Sequence, residues 1–226
     1  WYDNNKRVLP WRKKISQTKR EYYTLVSEFM LQQTQVTTVI PYFNNFIRDI
    51  PNLTSLSKIN ESKLLKYWEG LGYYSRVKNL QKTAQNVEKN FKGKIPSTIE
   101  QLKSLPGIGD YTANAIMAIA FNKPFIPLDG NIERVIKRLL NLKQVDEISK
   151  QNLVREKKIF GTSIRSSDYA QALMELGALV CRPRNPLCKK CPLTKNCKSF
   201  KKNDFEIIKP KRKKIDKFYL VEVYKK

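Results

Sequence analysis

Histidine is absent from this chain. Its absence removes Ser-His-Asp hydrolysis, Cys-His proteolysis and Cys2His2 zinc together, and leaves any acid–base chemistry to carboxylates, Lys, Tyr or Cys. There is no run of roughly eighteen apolar residues, so no segment reads as a membrane-spanning helix. The start at Trp1 carries neither an initiator Met nor a signal-peptide pattern, and we read the chain as cytosolic and as open to being a fragment. Clean period-two alternation is missing before residue 205, which excludes an ordinary β-sheet domain and leaves an all-α class. Acids are scarce, 20 against 44 Lys plus Arg, for a net charge of +24. A field of that sign steers polyanions, with nucleic acid the first partner to consider. A lysine-rich composition drawn from an AT-rich genome would give the same charge without that function.

With 226 residues and 41% hydrophobic content, the chain can bury a core in one large domain or two small lobes. From Tyr22 to Phe46 apolar residues recur at helical spacing, with Pro41 as a break or kink. Further helices are expected at Ser62–Trp68, Arg76–Asn90, Ile99–Ser104, Tyr111–Phe121, Ile132–Leu140, Val154–Phe160 and Ser167–Val180. Turn signals separate them, including Pro51-Asn52, Gly70-Leu71-Gly72, Pro106-Gly107-Ile108-Gly109 and Asp129-Gly130-Asn131. Lys201 to Lys217 reads as a basic linker, and the aromatic and β-branched residues after it as a lone strand needing partners.

All four cysteines, Cys181, Cys188, Cys191 and Cys197, fall in one C-x6-C-x2-C-x5-C stretch. Thiolates packed this closely suit a soft metal or an iron–sulfur cluster. A disulfide pair is disfavoured in a reducing compartment. Spacing alone leaves structural zinc and iron open.

Several motifs can carry chemistry. Leu105-Pro106-Gly107-Ile108-Gly109 precedes an apolar helix, and two glycines there turn backbone N–H groups outward at a helix N-terminus, a grip for a phosphate backbone. Glu28 lies inside the apolar stretch Leu25 to Leu31, where its charged form would be disfavoured and a proton donor near neutral pH would result. Periodicity by itself favours a solvent-facing Glu28. Asp129, followed by Gly130-Asn131, reads first as a helix cap or turn residue. Gly70 to Arg76 sets two adjacent tyrosines, Tyr73 and Tyr74, beside small residues, an arrangement able to prise bases apart or simply to pack.

Together these pieces resemble the helix-hairpin-helix DNA glycosylases, in the branch that removes adenine mispaired with 8-oxoguanine. The resemblance runs from about Leu9 to about Phe200 and rests on Leu9-Pro10-Trp11-Arg12, Ser27 to Val36, Gly70 to Arg76, the Leu105 to Gly109 hairpin, Leu128-Asp129-Gly130-Asn131 and the cysteines. It implies a two-lobed all-α fold: a helical lobe at about 20–125, and a cluster lobe built from the N-terminal segment plus about 130–200. A linker at 201–217 would then lead into the first strand, 218–226, of a truncated domain that reads the damaged partner base. The four cysteines would hold a 4Fe-4S cluster, which decides iron over zinc by resemblance.

The same likeness assigns roles. Glu28 would protonate adenine, Asp129 would stabilise the oxocarbenium-like sugar, and Tyr111 and Asn131 would orient these acids. Arg12 would contribute to the adenine pocket, while Gln32, Gln33 and Tyr73 would enter the duplex and Leu105, Gly107 and Gly109 would grip its backbone. The expected partner is double-stranded DNA with A opposite 8-oxoguanine or G, bound by a monomer in a bacterial cytoplasm. The sister endonuclease III group, bifunctional on oxidised pyrimidines, carries a Schiff-base Lys where this chain has Tyr111, and a phenol forms no imine. A non-catalytic iron–sulfur DNA-binding module is the third reading.

Overall fold

The computed structural model describes residues 1–142 and 164–206. Ser16 opens the central helix α2 (Gln17–Leu31), its hydroxyl accepting the Lys19 N–H at 3.5 Å. Leu25, Val26, Phe29 and Met30 on α2 are fully buried, so the helix forms the axis of the larger core. Around it pack α3 (Val36–Asp49), α4 (Leu53–Lys58), α5 (Glu61–Lys66), α6 (Ser75–Phe91), α7 (Ile99–Lys103) and α8 (Asp110–Ala115), the last running on into a π-type turn, Ile116–Ala120.

The break in the first apolar stretch lies at residues 32–35 and not at Pro41. Pro41 stands inside α3, in its second turn, where its missing N–H leaves only the Thr37 carbonyl without an intrahelical donor. Helix α4 has no counterpart among the expected helices: Asn52, read as a turn residue, is its N-cap and accepts the Ser55 N–H at 2.8 Å. The expected helices at Arg76–Asn90 and Ile99–Ser104 are present within a residue or so.

A second apolar cluster gathers Ile132, Val135 and Ile136 of α9 (Gly130–Leu140) with Leu173, Leu176 and Val180. The last three belong to α10 (Ser166–Glu175) and the π-type turn Leu176–Val180 that continues it. The short α1 (Tyr2–Asn5) packs on α10, and a 3-10 turn at Pro10–Arg12 packs on α2 and α3. The N-terminal segment therefore touches elements of both clusters. A four-residue α11 (Lys198–Lys201) follows the cysteines and packs on α9. No β-strand and no helix long and apolar enough to cross a membrane occurs among the described residues. The helix expected at Val154–Phe160 and the strand at 218–226, with most of the linker, lie outside those residues.

Candidate active site

A cavity of about 580 Å³ is lined by residues of α2, α8, α9, α10 and the N-terminal segment. Glu28 reaches it from α2. Helical periodicity places this side chain at the edge of the buried stripe, but the Pro10–Arg12 turn and the Ile116–Ala120 turn also pack on α2, and Glu28 is only 5% exposed. The segment that covers it is remote in sequence, which is why periodicity favours solvent. Its Oε2 has no hydrogen-bond partner. Burial pushes the carboxyl from 4.5 up to about 7; the Tyr111 hydroxyl beside it pulls downward, the Asp129 charge pushes further up, and Arg12 pulls down. Burial, with Glu28 and Asp129 nearby, also raises the Tyr111 hydroxyl well above its usual value.

Asp129 caps α9. Its Oδ1 accepts the backbone N–H groups of Asn131 at 3.0 Å and Ile132 at 2.7 Å, and its Oδ2 accepts the Asn131 side-chain amide at 2.9 Å. The cap reading and the functional reading therefore describe the same carboxylate. Asn131 is held in turn by Arg134, whose guanidinium donates to Asn131 Oδ1 at 2.9 Å, to the Gly177 carbonyl at 2.7 Å and to the Cys181 carbonyl at 2.7 Å. Gly177 leaves no room for a side chain: a Cβ there would lie 2.6 Å from Asn131 Cβ and 2.8 Å from its carbonyl oxygen.

Arg12 lines the same cavity and is fixed from behind. Its Nη1 donates to Glu175 Oε1 at 2.8 Å, and Arg7 donates to both Glu175 oxygens at 2.8 and 3.0 Å. Glu175 is fully buried; burial would raise its carboxyl, but the two guanidiniums outweigh it and hold it below the ordinary range.

The cavity brings together Arg12, Glu28, Gln32, Gln33, Tyr111, Asp129 and Asn131, and its lining contains no lysine. Tyr73, the hairpin and the cysteines lie outside its walls. Tyr73 is 63% exposed on its loop. In the hairpin, Gly107 has φ 77°, and a Cβ there would stand 2.9 Å from Phe29 and from Asn79, so only glycine fits. Leu105 and Ile108 are buried anchors that fix the hairpin from the core side, which leaves any grip on a phosphate to its main-chain N–H groups. Gly109 begins α8 without a side-chain cap, and the exposed Asp110 pairs with Lys103 at 2.5 Å.

The four thiols line one small cavity with Val180, Pro186, Phe200, Phe205 and Arg138. Arg138 Nη1 lies 3.6 Å from Cys181 Sγ, and Cys197 Sγ donates to the Arg138 carbonyl at 3.4 Å. Burial first, and the neighbouring thiols after it, push Cys188 and Cys191 upward. Among the described residues no group of three or more His, Cys, Asp or Glu is arranged to hold a single metal ion.

A family model described as HhH-GPD superfamily base excision DNA repair protein matches residues 26–158, more than half of the 226. The chain belongs to the HhH-GPD superfamily. Among its relatives, the adenine DNA glycosylase of Buchnera aphidicola subsp. Baizongia pistaciae is 40% identical over 220 residues, covering 95% of this chain and 60% of that protein. The adenine DNA glycosylase of Homo sapiens is 40% identical over 206 residues, covering 88% and 38%. The chain thus spans about 60% of the first relative and less than half of the second. Of solved structures, a thermostable thymine-DNA glycosylase superposes with a TM-score of 0.77 at 25% identity, covering 89% of this chain and 92% of that one. An endonuclease III–DNA complex superposes at 0.66 and 23% identity, covering 81% and 85%. The mostly helical HhH-GPD fold accounts for the architecture described above.

Three residues of this HhH-GPD site escape sequence reasoning. Glu175 carries the same signal as Glu28, an acid inside an apolar helix, in Leu173-Met174-Glu175-Leu176. Gly177 and Arg134 carry none, because their roles depend on elements that meet only in three dimensions.

Proposed function

We propose that the chain excises adenine from duplex DNA where it stands opposite 8-oxoguanine or guanine, hydrolysing the N-glycosidic bond of a nucleotide turned out of the stack. The observation that carries this is the buried, partner-poor Glu28 carboxyl sharing one cavity with Asp129. The names of the curated relatives support adenine as the base.

The chemistry follows from the two acids. Adenine leaves poorly until a ring nitrogen is protonated, and a carboxyl raised to about 7 is still half protonated near neutral pH. As the bond breaks, positive charge grows on the sugar, and the Asp129 carboxylate, oriented by Asn131 and the first turn of α9, stabilises it. Tyr111 tunes the acid rather than attacking. With no lysine lining the cavity, a Schiff-base strand cleavage has no amine there, which disfavours a bifunctional lyase. Arg12 forms part of the adenine side, Gln33 and Tyr73 enter the duplex, and the Gly107 hairpin with the open N-terminus of α8 holds the phosphate backbone.

Cys181, Cys188, Cys191 and Cys197 would hold a 4Fe-4S cluster. The four thiols share one small, largely apolar cavity, which supports a centre there, and the likeness to the endonuclease III-type fold favours the cluster. When bound, the cluster supplies a covalent cross-link of the loop rich in Arg182, Arg184, Lys189 and Lys190. The two apolar clusters support a two-lobed division with the cavity between.

The test uses duplexes holding A opposite 8-oxoguanine, or thymine glycol, scored for strand breaks with and without alkali. Breaks in the first duplex only after alkali are expected. Cleavage of the second without alkali overturns the reading.

A further inference from the structure

A helix leaves its last carbonyls without intrahelical donors, and α2 ends at Leu31, one turn past Glu28. The donor that meets them comes from another helix. Arg76, in the first turn of α6, donates through Nη1 to the carbonyls of Phe29 at 3.3 Å, Met30 at 2.8 Å and Gln32 at 2.5 Å, and to Thr34 Oγ1 at 3.0 Å. Its Nη2 turns the other way, to the carbonyls of Leu71 and Gly72, both at 3.1 Å. All six acceptors are neutral oxygens. Arg76 as a whole is only 6% exposed, with the Trp68 ring 5.4 Å and the Tyr73 ring 5.7 Å from its guanidinium.

Burying a cation against neutral acceptors is costly unless the surrounding dipoles are aligned. Here the negative end of the α2 macrodipole supplies that alignment. The two gripped segments share a further property. Gln32 is followed by Gln33 at φ 57°, and Gly72 by Tyr73 at φ 48°. Left-handed backbone at a residue such as Gln or Tyr carries a cost that surrounding contacts offset. Arg76 bonds the carbonyl of the residue just before each tip, and both tip side chains are exposed.

We propose that Arg76 is a positioning residue that ties the Gln33 and Tyr73 loops into one rigid unit, so that the two side chains enter the duplex as a fixed pair. The inference rests on the DNA-reading role given to those side chains above. Its content is energetic coupling: loosening one tip loosens the other, because a single planar fork holds both. Lysine cannot replace it, since an ammonium has no second prong to reach the Leu71 and Gly72 carbonyls once it faces α2.

Single-turnover excision of A opposite 8-oxoguanine is measured for Gln33→Ala, Tyr73→Ala and the pair, first with Arg76 intact and again with Arg76→Lys. With Arg76 intact, the double variant should be about fivefold or more faster than the product of the two single losses predicts. With Arg76→Lys the losses should multiply, while the pH midpoint set by Glu28 stays where it was. Multiplying losses with Arg76 intact overturn the proposal, and this arm decides even if Arg76→Lys does not fold. Coupling that survives Arg76→Lys overturns Arg76 as its source. Single variants with no effect also overturn it, whereas adenine release by the unaltered protein reports on the excision reading separately.

Discussion

Replacing Glu28 with Gln should abolish excision and remove a pH dependence from the stability of the fold. The folded carboxyl sits at about 7 against 4.5 when unfolded, so between those values the folded chain holds a proton that the unfolded chain releases. The neutral acid's contribution is therefore fully present below pH 4.5 and lost as pH rises through 7. At about 1.4 kcal/mol per pH decade, moving from pH 5 to pH 8 removes about 2 to 3 kcal/mol from the native protein. A glutamine does not titrate. Its amide brings a constant offset, from packing and from hydrogen bonds made or missed, and that offset cancels when the two pH values are subtracted. Urea unfolding of both proteins at pH 5 and pH 8 is the assay. The expected result is a Glu28→Gln variant whose stability, relative to the native protein, improves by about 2 to 3 kcal/mol on going to pH 8. Binding to uncleaved duplex should change little, since only a proton donor has been removed. Parallel stability profiles for the two proteins would falsify the claim that this carboxyl is held neutral by burial.

Tyr111→Phe removes the hydroxyl that favours ionised Glu28, so the alkaline limb of the rate–pH profile should move to higher pH; single-turnover rates between pH 6 and 9 check this. Gly177→Ala drives a Cβ into the Asn131 backbone and should cost about 1 to 3 kcal/mol in urea unfolding, with a loss of excision larger than any loss of duplex affinity. Glu175→Gln leaves Arg7 and Arg12 without their shared carboxylate and should cost about 3 kcal/mol, reduced by the partial solvation of Arg7, read by thermal unfolding. Purified protein should carry about four iron and four sulfide per chain with a visible thiolate-to-iron band; colourless protein with one zinc per chain refutes the cluster assignment.

Legibility differed sharply between kinds of feature. Helices with strong periodicity or a good cap, such as Ser75–Phe91 and Ile99–Lys103, were readable because their signals are local. Pro41 misled because a proline near the start of a helix removes a single bond, while the carbonyls freed at the true break, 32–35, meet a donor in Arg76, forty-odd residues away in sequence. Glu28 could be suspected from its apolar neighbours, yet its burial depends on Pro10–Arg12 and Ile116–Ala120, which no window around residue 28 contains. Asp129 was legible twice over, since the cap that starts α9 and the acid of the cavity are one residue. The cysteine spacing announced a centre but not its size.

That double duty of Asp129 has a consequence for the protein's freedom to change. A carboxylate suspended from a flexible side chain could wander and would need to be gathered up at each turnover. This one is fastened by the opening turn of a helix, so its orientation is inherited from the main chain and ready before any substrate arrives. Sequence drift that shifted the helix start by one residue would misplace the charge that the proposed chemistry uses by the same step, which binds the survival of the fold's grammar to the survival of that chemistry.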